Sequence, residues 1–459
     1  SSYYAQISIG TPAQNFVTIL DTGSSDLWVV DTSCTSSQCS GSALFNPPSS
    51  SSYRGSSTAF QIQYGIGAVR GTLAADTVSL AGYTVQSQTF AIIDELAQGT
   101  LRAPASALMG MGFQQLASSG ATPFWQVLAQ SNQLQQPLFT FQLARNNQNP
   151  TVLNAQTLAD QLQPGGVFTL GELDSNQYEG DITYTSLTSR AYWTIPMDSL
   201  NVNGRTTSLS SSENVAAIDT GTTLVAGPPS VVRSIYEQIP GSVTAPMGGD
   251  DSSIYYAFPC STTVQVSLTF SGKAWSINSA DFNYGLYGRQ GNTNYCLGAF
   301  FGTDIGQGAP DWIVGDAFLK NVFSIYDSNP ARVGFASLRG NTAQTLATTT
   351  GAIRQATATA APASSGASSS SVAPAILPSN SADNTASGNV GGSGLPAPTP
   401  GTTIVTQTAS LMAGPSQSGS SSSGSGSGRN AGARSAGATL SSLGLVASSL
   451  FLGALAVLL

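Results

Sequence analysis

The sequence predicts a mainly β protein made of two related lobes and a tail that builds no core, and three observations carry that expectation. Runs of β-branched and aromatic residues alternate with turn signals through residues 1–340. The 49 Gly and 23 Pro punctuate those runs and exclude a helical bundle. A weak internal repeat, in which Ile19–Ser25 is echoed by Ala217–Thr223, implies two similar halves.

Taken in order, Tyr3–Ile9 and Phe16–Leu20 read as strands, and Gly10-Thr11-Pro12 between them makes a hairpin. Helices are few and short. Thr122-Pro123 opens one in which Phe124, Val127 and Leu128 share a face, and Pro228-Pro229 opens another through Val232, Ile235 and Tyr236. Composition then shifts near residue 340. Ala336–Leu450 contains no Phe, Tyr or Trp, and only Arg354, Asp383, Arg429 and Arg434 are charged beyond Gly340. So little apolar surface cannot offset the entropy of ordering, so 339–442 reads as a disordered Ser/Thr/Gly/Ala-rich stalk.

Leu443–Leu459 is a run of 17 uncharged, mostly apolar residues. Together with Asn430-Ala431-Gly432 and a polar spacer it fits a GPI-attachment signal, with Asn430 as the attachment residue. A tail-anchored transmembrane helix is the alternative, at the short limit of bilayer-spanning length. The stalk suits O-glycosylation, while no Asn-X-Ser/Thr sequon occurs. The chain opens Ser-Ser-Tyr-Tyr, without an initiator Met or an apolar signal core, and reads as a processed product.

Composition also excludes whole chemistries. With no histidine in 459 residues, Ser-His-Asp and Cys-His nucleophiles and imidazole-based metal centres are ruled out, and neither metal nor cofactor is expected. A net charge of −8 with 15 Lys+Arg opposes nucleic-acid binding. Four cysteines fall in two local pairs without CxxC spacing, which favours disulfides and an extracellular or cell-surface location.

The repeat carries the chemistry. Asp21-Thr22-Gly23 and Asp219-Thr220-Gly221 each follow two apolar residues, and each is matched downstream by apolar-apolar-Gly, Leu108-Met109-Gly110 and Ile313-Val314-Gly315. One Asp-Thr-Gly is an ordinary turn. In two facing lobes, each Asp leaves an apolar strand at a tight turn, Gly permits close approach, and the Thr hydroxyl bonds across to the other lobe. Two carboxylates at close range cannot both ionise readily, so they share one proton. The charged member then draws a proton from a water that attacks a peptide carbonyl, while the protonated member hydrogen-bonds the oxyanion. Ser24 and Thr222, three residues past each Asp, are hydroxyl donors to the outer carboxylate oxygens.

With Ile9–Pro12, Asp21–Ser25 followed by Leu27-Trp28-Val29, Tyr64-Gly65-Ile66-Gly67, Asp219–Thr223, Trp312–Asp316 and Val333-Gly334-Phe335 in this order, the sequence resembles the pepsin-like aspartic proteases over Tyr3–Leu338, most closely the secreted fungal branch. The resemblance implies a bilobal pepsin-like fold of two β-barrel-like lobes, 1–150 and 151–338, each bringing one catalytic Asp to a cleft. It implies a monomeric endopeptidase acting on extended polypeptides at acid pH, with hydrophobic residues preferred on both sides of the scissile bond. Tyr64 is then the tip of a flap, with Trp28 receiving a hydrogen bond from its hydroxyl and with hinge freedom from Gly65 and Gly67. Ile19, Leu108 and Thr223 join Tyr64 in contacting substrate. Cys34–Cys39 and Cys260–Cys296 match family disulfides, contributing about 2 and about 4 kcal/mol by chain entropy.

Three departures stand out. Pro104-Ala105-Ser106-Ala107 replaces the usual aromatic, Asp and Gly, which makes the S1 wall smaller-sided. Thr223 stands where Ser is frequent, and the outer N-terminal strand of the family is expected to be largely missing. Asp250, Asp251, Asp94, Glu95 and Asp311 read as solvated loop charges, Asp26 and Asp316 as supports for the Asp loops. Two other functions compete. A cell-surface processing protease with basic-site preference is disfavoured by the lack of an acidic insertion between Cys34 and Cys39. A catalytically silent surface binding module is disfavoured because both Asp, Ser24, Thr222 and Tyr64 are retained.

Overall fold

The structure, a computed structural model, describes residues 2–64, 67–145, 163–247, 253–306, 308–340 and 401–408, the last as backbone only. Strands dominate it and its few helices are short, which agrees with the predicted mainly β, bilobal class. The expected hairpin is present: Ser2–Ile9 runs antiparallel to Gln14–Asp21, from Ala5 opposite Thr18 to Ile9 opposite Gln14. The helices are Phe124–Gln130, which buries Phe124, Trp125 and Leu128, and Pro229–Glu237, which buries Val232, Ile235 and Tyr236. Trp125, not Val127, completes the inner face of the first, because Val127 only packs against the core from its edge.

Both lobes repeat one arrangement around their Asp. In the first, Gln14–Asp21 lies parallel to Ala105–Gly110, with Asp21 opposite Gly110, and Leu27–Val30 pairs antiparallel with the far side of Ala105–Gly110. In the second, Val215–Ile218 lies parallel to Trp312–Val314, with Val225–Gly227 antiparallel on its other side. Both faces of such a strand are covered, so the segments read as continuous apolar runs. The glycine ending each downstream motif follows from the same crowding. A Cβ on Gly110 would meet the Ser25 backbone, and one on Gly315 would meet the carbonyl of Thr222.

Between the lobes, Leu138–Leu143, Gln163–Leu170, Phe323–Ser328, Ala331–Leu338 and Tyr178–Ser186 form a shared antiparallel sheet. An aromatic cluster packs there. Phe139 stacks on Tyr326 at 4.9 Å, and Trp193 meets Phe113, Trp125 and Tyr326 at 4.5–5.6 Å. Trp193 also donates its indole N–H to Met111 O at 2.8 Å, which ties the second lobe to the loop behind Asp21. Aromatic pairs of this geometry contribute about 0.5–1.5 kcal/mol each beyond area burial.

The expectation of a structureless 339–442 is corrected over eight residues. Gly401–Thr408 forms a strand between Ser2–Ile9, where Tyr3 faces Gln407, and Gln163–Leu170, where Ile404 faces Val167. The segment Thr402-Thr403-Ile404-Val405-Thr406 is a β-branched run in otherwise small-residue sequence, which suits it to a ladder. The position beside the first strand is therefore filled from within the tail. Beyond Gly340 the remainder of the stalk, Asn430 and Leu443–Leu459 lie outside the described residues, as does the lobe boundary at 150. No described helix is long and apolar enough to cross a membrane.

Candidate active site

Asp21 ends its strand, and Asp219 directly follows one that closes at Ile218, so each carboxylate emerges where a buried strand breaks into a turn. The two turns grip each other. The Thr22 hydroxyl donates to Ile218 O at 2.8 Å while accepting from Thr220 N–H at 2.9 Å. Symmetrically, the Thr220 hydroxyl donates to Leu20 O at 2.7 Å and accepts from Thr22 N–H at 3.1 Å. Every one of these groups is buried, so each bond also spares a desolvated polar atom.

Each carboxylate is held by its own turn. Asp21 Oδ1 accepts from Gly23 N–H at 2.9 Å and Oδ2 from the Ser24 hydroxyl at 2.5 Å. Asp219 Oδ1 accepts from Gly221 N–H at 2.8 Å and Oδ2 from the Thr222 hydroxyl at 2.6 Å. The glycines allow the lobes to meet: a Cβ on Gly23 would sit 2.7 Å from the Asp219 carboxylate, and one on Gly221 would fall on Asp21 Oδ1. The two carboxylates therefore lie close enough for each to bear on the other's proton.

Electrostatics follow from that closeness. Burial first, and then the charge of Asp219, hold Asp21 well above the usual carboxylate range against the opposing Ser24 and Gly23 bonds. Asp219 is raised by burial too, opposed by Thr222 and Gly221. Both shifts favour retaining a proton between the pair at pH values where an exposed Asp has lost its own.

Around the pair, Ile19, Trp28, Tyr64 and Leu108 meet in one buried apolar cluster that also contains Leu101 and Ala105. The Trp28 indole N–H donates to the Tyr64 hydroxyl oxygen at 2.6 Å. This reverses the expected direction, since the indole nitrogen offers a donor and no acceptor. Gly67 lies opposite Tyr64 at the end of its hairpin, while Gly65 is outside the described residues. Thr223, two residues beyond Gly221, is buried, and its carbonyl accepts from Ala317 N–H at 3.0 Å. Both disulfides, Cys34–Cys39 and Cys260–Cys296, are formed and suit an oxidising compartment. Among the described residues no acidic or sulfur cluster could hold a metal ion.

Of the outlying carboxylates, Asp26 is buried and accepts from Ser118 N–H at 2.7 Å, Ser119 N–H at 3.0 Å and the Ser119 hydroxyl. Asp311 is corrected: it is half-buried and accepts from Val215 N–H at 2.9 Å, which fixes the strand leading to Asp219. Asp94 and Glu95 are exposed, and Asp250 and Asp251 lie outside the described residues. Two features carry no sequence signal. Tyr192 is half-buried and pushed up to about 12 by burial and then by Asp219 and Asp21, which locates it near the pair. Buried Asp281 is paired with Arg145 at 2.6 Å and Lys320 at 3.0 Å, joining three distant segments.

Asp316 begins the Asp316–Leu319 helical turn, and its N–H donates to Thr222 O at 2.8 Å. Burial raises it well above the usual range, with Lys320 opposing and with Asp219 and Asp281 adding to the rise. Its proton is therefore held more tightly in the folded than in the unfolded chain. The resulting stabilisation is complete below the unfolded value of about 3.9 and is lost as pH rises toward the folded value. Asp316→Asn should accordingly reduce the drop in Tm between pH 4 and pH 7 by about 1–2 °C, on the order of 1 kcal/mol. Equal drops in both proteins would contradict this.

Residues 2–338 match the sequence pattern of the family described as Eukaryotic aspartyl protease. The chain is 42% identical over 349 residues to the Major aspartyl peptidase 1 of Cryptococcus neoformans var. grubii, covering 74% of this chain and 69% of that protein. It is 37% identical to the Aspartic protease of Phaffia rhodozyma, covering 73% and 76%, and 33% identical to Cathepsin E of Rattus norvegicus, covering 73% and 79%. With two Asp-Thr-Gly turns joined across the lobes and this extent of similarity, the chain belongs to the eukaryotic aspartyl protease family and is an aspartic endopeptidase.

Proposed function

We propose that Asp21 and Asp219 are the catalytic pair, and that they hydrolyse extended polypeptides at acid pH by activating a water held between them. The cross-lobe bonding of Thr22 and Thr220 is the observation that supports this most, because it sets two buried carboxylates against each other with matched donors. In the working state one proton is shared. The ionised carboxylate takes a proton from the water as it attacks the carbonyl, and the protonated one hydrogen-bonds the developing oxyanion. Breakdown of the tetrahedral intermediate returns a proton to the leaving nitrogen, and no covalent enzyme intermediate forms. Ser24 and Thr222 orient the outer oxygens, and Gly23 and Gly221 supply N–H donors. Hydrolysis of a denatured protein at acid pH, blocked by a statine-type inhibitor, tests the reading.

Tyr64 acts in this proposal as a flap residue over the scissile bond, oriented by Trp28. Ile19, Leu108 and Tyr64 line an apolar S1 pocket. Ala105 packs in the same buried cluster, and its small side chain makes the wall of that pocket smaller-sided. Ala105→Phe should fill it and lower the kcat/KM ratio of Phe over Leu at P1 by about tenfold in a peptide library. An unchanged ratio would remove Ala105 from the pocket.

The proposal puts the enzyme at the cell surface as a monomer, with a glycosylated stalk and a GPI anchor at Asn430. Support comes from the small-residue site, spacer and apolar end of the sequence and from the two disulfides. Release from cells by a phosphatidylinositol-specific phospholipase is the corresponding test.

A further inference from the structure

The Arg54–Tyr64 strand alternates at its end, with Phe60, Ile62 and Tyr64 buried and Gln61 and Gln63 on the outer face. The chain returns antiparallel, so that Tyr64 faces Gly67 and Gln63 faces Ala68. From its outer position the Gln63 side chain turns back over the hairpin end. Its Nε2 donates to Tyr64 O at 3.0 Å and to Gly67 O at 3.2 Å, one bond to each strand.

We infer that Gln63 is a positioning residue for peptide hydrolysis: its carboxamide clamps the two strands of the flap from outside and thereby fixes Tyr64 inside, against Trp28. The inference rests on the reading of Tyr64 as a substrate-covering residue. Three contacts define what the clamp controls. On the inner face, Tyr64 is 3% exposed and its hydroxyl oxygen accepts from Trp28. Next to the hairpin end, Ala97 N–H donates to Ala68 O at 2.9 Å, anchoring the return strand to the lobe. Gly67 lies so close to buried Thr100 that a Cβ there would meet the Thr100 hydroxyl, so the return strand is seated against the lobe at that point. The return strand is thus fixed from below, and the Gln63 amide transfers that fixity to the Tyr64 strand. A carboxamide suits this task because its two N–H groups diverge from one nitrogen and reach two carbonyl oxygens, which a hydroxyl with one proton cannot do.

Three variants test it, each assayed for kcat and KM on an extended peptide from about pH 3 to about pH 5.5. Gln63→Met keeps the length but has no donor. Loss of two hydrogen bonds should lower kcat/KM about tenfold, mostly in kcat, with thermal melting unchanged. Gln63→Glu distinguishes clamping from bulk. A carboxyl with an ordinary value of about 4.3 donates one O–H when protonated, and when ionised it repels both carbonyl oxygens. With one of the two bonds available to it at pH 3, its activity should lie there between that of Gln63→Met and that of wild type, and fall at least about tenfold below wild type by pH 5.5, a trend that side-chain size alone cannot produce. Tyr64→Ala is the third variant and should lose at least as much activity as Gln63→Met. If Tyr64→Ala loses activity but Gln63→Met stays within twofold of wild type, or if the Gln63→Glu ratio is constant with pH, the clamp is refuted. If Tyr64→Ala itself stays within twofold, the flap reading fails and the inference falls with it.

Discussion

Asp219→Asn is expected to lower kcat by on the order of 10⁴-fold or more while the protein stays folded. Asn has nearly the shape of Asp, and its carbonyl oxygen can still accept from Gly221 N–H or the Thr222 hydroxyl. It cannot exchange a proton with water, however, so neither the base nor the shared proton survives. Folding should not suffer, because the wild-type residue is a buried carboxyl whose ionisation is disfavoured by burial. A neutral amide removes that cost, and Tm at neutral pH should hold or rise. Activity comparable to wild type would mean that Asp219 is not a proton-transfer group.

Thr220→Val should cost about 2–4 kcal/mol of stability and about 100-fold in kcat. The two side chains have almost the same shape, so the change isolates the hydroxyl. Without it, the carbonyl of Leu20 and the N–H of Thr22 lose their partners in the buried seam between lobes. Each unpaired buried group costs about 1–3 kcal/mol, and the seam also sets the distance between the two carboxylates. Thr220→Ser, which restores the hydroxyl, should recover most of both losses. A Val variant that melts and turns over like wild type would show that the grip does not position the pair.

What was legible in the sequence is what repeats or alternates. The Asp-Thr-Gly turns and their apolar-apolar-Gly partners stand out because crowding at each Asp forbids a Cβ at Gly110 and Gly315, and because this happens once per lobe. The hairpin at Gly10–Pro12 and the two Pro-initiated helices were readable from local chemistry alone. Other features depend on contacts between distant segments. Arg145, Asp281 and Lys320 become one cluster only when folding joins them, and Asp311 looked like a loop charge until Val215 was placed beside it. Tyr192 has no counterpart in the repeat, so only its proximity to the two Asp reveals it. The strand at Gly401–Thr408 escaped because the surrounding composition masks a five-residue β-branched run, and its pairing depends on edges supplied by both lobes.

The pH dependence of kcat/KM on a peptide substrate tests most directly whether two acids, contributed by separate lobes, work around one proton. Both members are raised by burial, so the active form should give way to a doubly protonated pair on the acid side and lose its last proton on the other. The result expected is a bell with its maximum below neutrality, whereas a maximum above neutrality, or a profile with only one limb, would contradict the shared proton.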